Sequence, residues 1–103
     1  MIVKLKTQEP DYPDLSPAQW YVVIGIEADD LRILNDQGRP YLYPRTLFEV
    51  IEESEPPDWI VEVGDEGERY AYPAELNQPG FFEAFFDANA EAVAFFWRTI
   101  SRR

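Results

Sequence analysis

Chemistry at neutral pH starts from a side chain that can shuttle a proton or attack, and this chain of 103 residues has neither histidine nor cysteine. Without histidine the usual general base and the commonest nitrogen ligand for metals are missing. Without cysteine there is no thiolate and no disulfide framework. Ser16, Ser54 and Ser101 stand in no nucleophile motif, and a serine without a base is a loop residue. Paired carboxylates remain. Glu52 with Glu53, or Asp65 with Glu66, are the residue types glycoside hydrolysis uses, but adjacent acids in turns are solvated and so small a domain offers little cleft for a sugar chain. Asn35-Asp-Gln-Gly38 and Asp65-Glu-Gly-Glu68 lack the alternating oxygen spacing of a calcium loop, and no glycine-rich phosphate loop occurs. The expectation is no enzyme, no metal and no cofactor, hence a module that binds something.

The placement of the acids says what it would bind. Twenty Asp and Glu against nine Lys and Arg give a formal charge of −11 and a pI near 4.2. Such a field disfavours direct nucleic-acid or anionic-membrane binding and complements a basic protein partner. Nine acids fall between Glu49 and Glu68, namely Glu49, Glu52, Glu53, Glu55, Asp58, Glu62, Asp65, Glu66 and Glu68, with no base among them. If the turns at 52–58 and 65–68 share one end of a sheet, they make a negative docking face; the plain alternative is a solvated rim of loops. Trp59, Tyr41, Tyr43, Tyr70 and Tyr72 lie alongside, and Trp and Tyr are enriched among interface hot spots. Because alternate strand residues fill the core, two or three of these five are expected at the surface. The expected contact set is Glu52, Glu53, Glu55, Asp58, Trp59, Asp65, Glu66, Glu68, Tyr41 and Tyr43.

These residues must be positioned by a scaffold, and 46% apolar and 16% aromatic residues supply one hydrophobic core over a single domain, 1–103. Ile2 to Lys6 alternates apolar and cationic residues and reads as a short edge strand. Gln8 to Ala18 carries three prolines and reads as an irregular loop anchored by Leu15 and Trp20. Trp20 to Glu27 is β-branched and aromatic, the clearest strand, with Gly25 marking a bulge or a close backbone approach. Leu31 to Leu34 pairs back on it, Tyr41 to Tyr43 and Leu47 to Ile51 follow, and Trp59 to Val63 and Arg69 to Tyr72 flank the Gly64-Asp-Glu-Gly67 hairpin turn. About six strands are expected between residues 2 and 72.

From Phe81 the period changes to three and four through Phe82, Phe85, Phe86, Asn89, Val93, Phe96, Trp97 and Ile100. This predicts one amphipathic helix over 78–101, capped by Asn77 with Pro79 in its first turn, Glu83 and Asp87 near its start, and Arg98, Arg102 and Arg103 near its end. Phe81 and Phe95 fall off the stripe, and either would mark a homodimer contact. With no helices available for crossovers, a doubly wound sheet is excluded. The expected fold is α+β: a small antiparallel, partly open β-barrel, or else a flat or curved sheet, with the helix across one end or face. No apolar run is long enough to span a bilayer and the N-terminus lacks a signal-peptide core; a cytoplasmic location is expected.

The strand order, with Trp20-Tyr-Val-Val-Ile-Gly-Ile26 leading through Tyr41-Leu-Tyr-Pro44 into Leu47-Phe-Glu-Val-Ile51, resembles SH3-like small barrels over residues 20–72. The whole chain, short, acidic, cysteine-free and ending in an aromatic helix, resembles small cytoplasmic bacterial immunity proteins. That second resemblance implies an inhibitor covering the basic active site of a cognate toxin, with the Glu49 to Glu68 cluster as its docking face. The first implies an adaptor or regulatory domain that recognises a peptide or subunit through Tyr41, Tyr43 and Trp59. A mimic of nucleic acid is a third use of the same acids.

Overall fold

A computed structural model describes residues 1–102. Every stretch with strand-like patterning is a strand, so the count is seven where about six were expected: β1 Ile2–Leu5, β2 Trp20–Glu27, β3 Asp30–Leu34, β4 Pro40–Pro44, β5 Phe48–Glu52, β6 Trp59–Val63 and β7 Arg69–Pro73. All pair antiparallel. The backbone order is β4-β3-β2-β1-β5, with β7 joined to β2 and β6 joined to β7. The strand β1 is therefore an inner strand between β2 and β5, not an edge, and its Lys4 lies across from Glu49.

Gly25 explains how β2 serves two neighbours on one side. The register of β2 against β3 shifts between Val23 and Gly25, so the first half of β2 pairs with β1 and the last residues, Ile26 and Glu27, pair with β7. A side chain at Gly25 would collide with the Tyr72 ring, so the glycine marks both the bulge and the close approach expected of it.

The bulge also switches which face Ile24 and Ile26 present. One core lies on the side of Val3, Leu5, Leu15, Val23, Ile26, Leu31, Ile33 and Phe48. A second lies between the sheet and the helices, built from Ile24, Tyr72, Leu76, Phe82, Phe85 and Phe96. Between these layers Arg32 is buried: it donates to the Tyr72 hydroxyl at 2.7 Å, the Pro40 carbonyl at 2.6 Å and Glu27 at 2.9 Å, and its guanidinium sits 3.8 Å from the Phe82 ring centroid. Each of the three guanidinium nitrogens thus donates a hydrogen bond, as a buried charge requires.

The single C-terminal helix is corrected to two, α1 Phe81–Phe86 and α2 Ala90–Ser101. Ala88 between them takes φ +60°, and the Asn89 side chain accepts from the Ala92 N–H as the cap of α2. Asn89, counted on the apolar stripe, is a helix start. The physical reason is ring packing: Phe85 and Phe96 would be about 16 Å apart along one continuous helix, whereas after the break their centroids lie 4.9 Å apart. Asn77 likewise caps nothing in α1. It ends a 3₁₀ turn over Ala74–Leu76, and Gly80, at φ 77°, precedes α1. Arg98 is in the last turn of α2 as expected; Arg103 lies outside the described residues.

Candidate binding surface

The acidic third of the chain is built around β6. This strand is hydrogen-bonded to β7 and, among the described residues, to no other strand. Asp58 precedes it, Glu62 lies within it, and Asp65 and Glu66 form the turn after it. A five-residue strand spans roughly 17 Å, so the two acidic turns are at opposite ends of β6 in sequence. The loop before β6 folds back, however: the Glu55 carboxylate receives two bonds from the Arg69 guanidinium, at 2.6 and 2.8 Å, and Arg69 is the foot of the hairpin that carries Asp65 and Glu66. The Met1 ammonium donates to the Ser54 carbonyl at 2.7 Å and pins the same loop from the other side.

Glu55 is thus brought to the hairpin while Asp58 is left at the far end. Arg69 enters from outside the base-free run and takes up one of its charges. The Arg69 guanidinium holds the Glu55 carboxyl below the usual carboxylate range, and Arg69 is itself shifted upward by Glu55. Glu52 accepts from both the Ser54 hydroxyl and N–H, at 2.6 and 2.9 Å, and these bonds also hold its carboxyl low. Glu68 accepts from the Glu66 N–H at 3.0 Å and closes its own turn.

Glu53, Asp65 and Glu66 are exposed, and among the described residues no ion pair reaches them. No group of three acids among the described residues is close enough to hold a metal ion.

Two of the expected aromatic anchors face inward. Trp59 is buried in the first core, and Tyr43 is buried with its hydroxyl donating to Asp14 at 2.6 Å and accepting from Asn35 at 3.0 Å. Burial and the neighbouring Asp14 carboxylate push the Tyr43 phenol well above its ordinary range. Both rings sit on core-facing strand positions, which the period of two cannot distinguish from the outer face. Tyr72 is buried and Tyr70 half-buried. Tyr41 is exposed and stacks on Phe86 at 5.4 Å.

The exposed apolar surface lies elsewhere, where the sequence reading did not place it. Trp20 and Val22 are 61% and 63% exposed, on the β2 face that alternates with buried Tyr21 and Val23. They line a groove of about 540 Å³ with Leu34, Pro56, Trp59 and Ile100. Along β6, Ile60, Val61 and Val63 are 43%, 46% and 68% exposed. The alternation within β2 carried the signal for Trp20 and Val22. For Val61 and Val63 no local signal exists, because their exposure depends on what does not cover them. Comparison of the chain with protein-family models, curated proteins and solved structures yields no match.

Proposed function

We propose that the protein is a non-catalytic binding module that captures a cation-rich protein, acting in the cytoplasm as an immunity-type inhibitor seated over the basic groove of a toxin. The observation that carries this reading is that Glu53, in the loop leading to β6, and Asp65 and Glu66, in the turn that follows it, are exposed and reached by no ion pair among the described residues. A groove that holds phosphate must be cationic, so a surface of this sign complements it. A net charge of −11 steers such a partner and raises its association rate by roughly 10- to 1,000-fold. Among the described residues no helix is long and apolar enough to cross a membrane, which accords with this role.

The test is capture from the native cell lysate at low salt by the wild-type protein and by a variant carrying Glu53→Lys, Asp65→Lys and Glu66→Lys. Recovery of a basic protein that high salt releases and the variant does not hold supports the reading. Equal recovery by both proteins, or none, counts against it.

The exposed Trp20 and Val22 favour a second reading, an SH3-like adaptor that binds a peptide in the groove they line. The SH3-like barrel form of the sheet is supported by β2, which pairs with β3 on one edge and with β1 and then β7 on the other. On this reading Trp20→Ala abolishes binding and the triple charge reversal leaves it intact.

A further inference from the structure

The strand β6 combines three features that together define an occupant. Among the described residues it pairs along one edge only. Successive residues Ile60, Val61, Glu62 and Val63 are all exposed, so apolar surface is open on both of its faces, a condition that soluble chains ordinarily bury, cover or break with proline. And its ends and middle are acidic.

The backbone alternation fixes which groups are available. Glu62 and Tyr70, and likewise Ile60 and Tyr72, are register partners across β6 and β7. The hairpin closes through the Gly64 N–H on the Glu68 carbonyl at 2.8 Å, which makes 62–70 and 60–72 the hydrogen-bonded pairs of the ladder. The N–H and C=O groups of Val61 and Val63 therefore point away from β7, toward the open edge. From Trp59, Val61 and Val63 on one face to Ile60 and Glu62 on the other, the side chains alternate.

We propose that the open edge of β6 accepts an extended segment of a basic partner as an added strand, one that alternates apolar and cationic residues. The proposal rests on the charge-capture reading above and adds its geometry. Main-chain bonds to Val61 and Val63 supply affinity. Apolar residues of the incoming strand lie beside Val61 and Val63, and a cationic residue lies beside Glu62, with further cations toward Asp65 and Glu66. The protein contains the same arrangement internally: β1, with Val3 and Leu5 inward and Lys4 outward, is laid against β5 with Lys4 across from Glu49 and Val3 across from Val50. A second copy of this chain is a poor occupant, since pairing two β6 strands would join edge to edge two chains that each carry a charge of −11 and acids at both ends of the paired strand.

The test titrates the ¹⁵N-labelled wild-type protein with a short peptide of alternating lysine and valine, and with two versions methylated on one or the other set of alternate backbone amides. Strand addition predicts amide shifts centred on Val61 and Val63. It also predicts that one methylated version binds at least about tenfold more weakly while the other binds like the parent, since only one set of amides faces β6. Equal binding of all three peptides, with shifts at Asp65 and Glu66 alone, overturns strand addition and leaves charge capture standing. Absence of binding by any of them, together with no salt-sensitive capture of basic proteins from the lysate, removes both. Appearance of dimers when Glu62→Gln and Asp65→Asn are combined, with peptide affinity unchanged, would show that the acids only guard the edge, and would also overturn the proposal.

Discussion

Substituting Gly25→Ala puts the account of the two cores to a quantitative test. An added Cβ would lie 2.0 Å from Tyr72 Cε1, 2.4 Å from Cδ1 and 2.6 Å from Cζ, against an ordinary carbon contact of roughly 3.6 Å. Something must move by about 1.5 Å. The ring is not free to do so, because its hydroxyl is held by Arg32 and donates to Glu27 and its face packs on Phe82 at 5.5 Å. Moving the ring breaks hydrogen bonds to charged groups, and moving the backbone separates β2 from β7. Adding overpacking to the weakened bonds gives a loss of about 3–5 kcal/mol, a large part of the ~5–15 kcal/mol typical of a domain. Urea denaturation reads it directly, and the thermal midpoint should fall by more than about 12 °C. In a Tyr72→Ala background the same substitution should cost far less, so the double-mutant cycle shows strong coupling. A loss below about 1 kcal/mol, or additive effects, would refute this reading of the bulge.

Arg32→Met should destabilise by about 3 kcal/mol, measured the same way, because the Tyr72 hydroxyl and Pro40 carbonyl lose a charged donor and Phe82 loses its cation. Alkaline stability should depend on Tyr21, whose phenol is pushed up to about 12 by burial and by its hydrogen bond to Asp36. The unfolded phenol ionises near pH 10, so the stabilisation is whole below about pH 10 and is lost as pH rises toward 12; denaturation midpoints of Tyr21→Phe should fall less steeply over that window. Ala88→Gly should raise stability by up to about 1 kcal/mol, since Ala88 holds φ +60°, a conformation that costs a residue with a Cβ.

The strands were legible because each carries its own pattern: the alternation of Ile2 to Lys6 and the β-branched run of Trp20 to Glu27 are local facts. Gly25 was legible for the same reason. What the sequence hid is set by contacts distant in the chain. The break at Ala88 is stabilised by Phe85 meeting Phe96, and a stripe counted along one axis runs through it unaltered. Arg32 looks like any exposed strand cation until Glu27, Pro40, Tyr72 and Phe82 converge on it. The acids could be counted but not located: the Glu55 pair with Arg69 depends on the loop folding back, and the inward turn of Trp59 and Tyr43 depends on which face of each strand meets the core.

The central claim, capture of a cationic partner by the carboxylates along β6, is tested most directly by the association rate constant of the isolated partner followed against ionic strength. The account predicts a decline of about tenfold or more between about 0.01 M and 0.15 M salt, where the Debye length shrinks from about 30 Å to about 8 Å, with the slope flattened by Glu53→Lys, Asp65→Lys and Glu66→Lys. A rate constant that stays level across that range in the wild-type protein would contradict it.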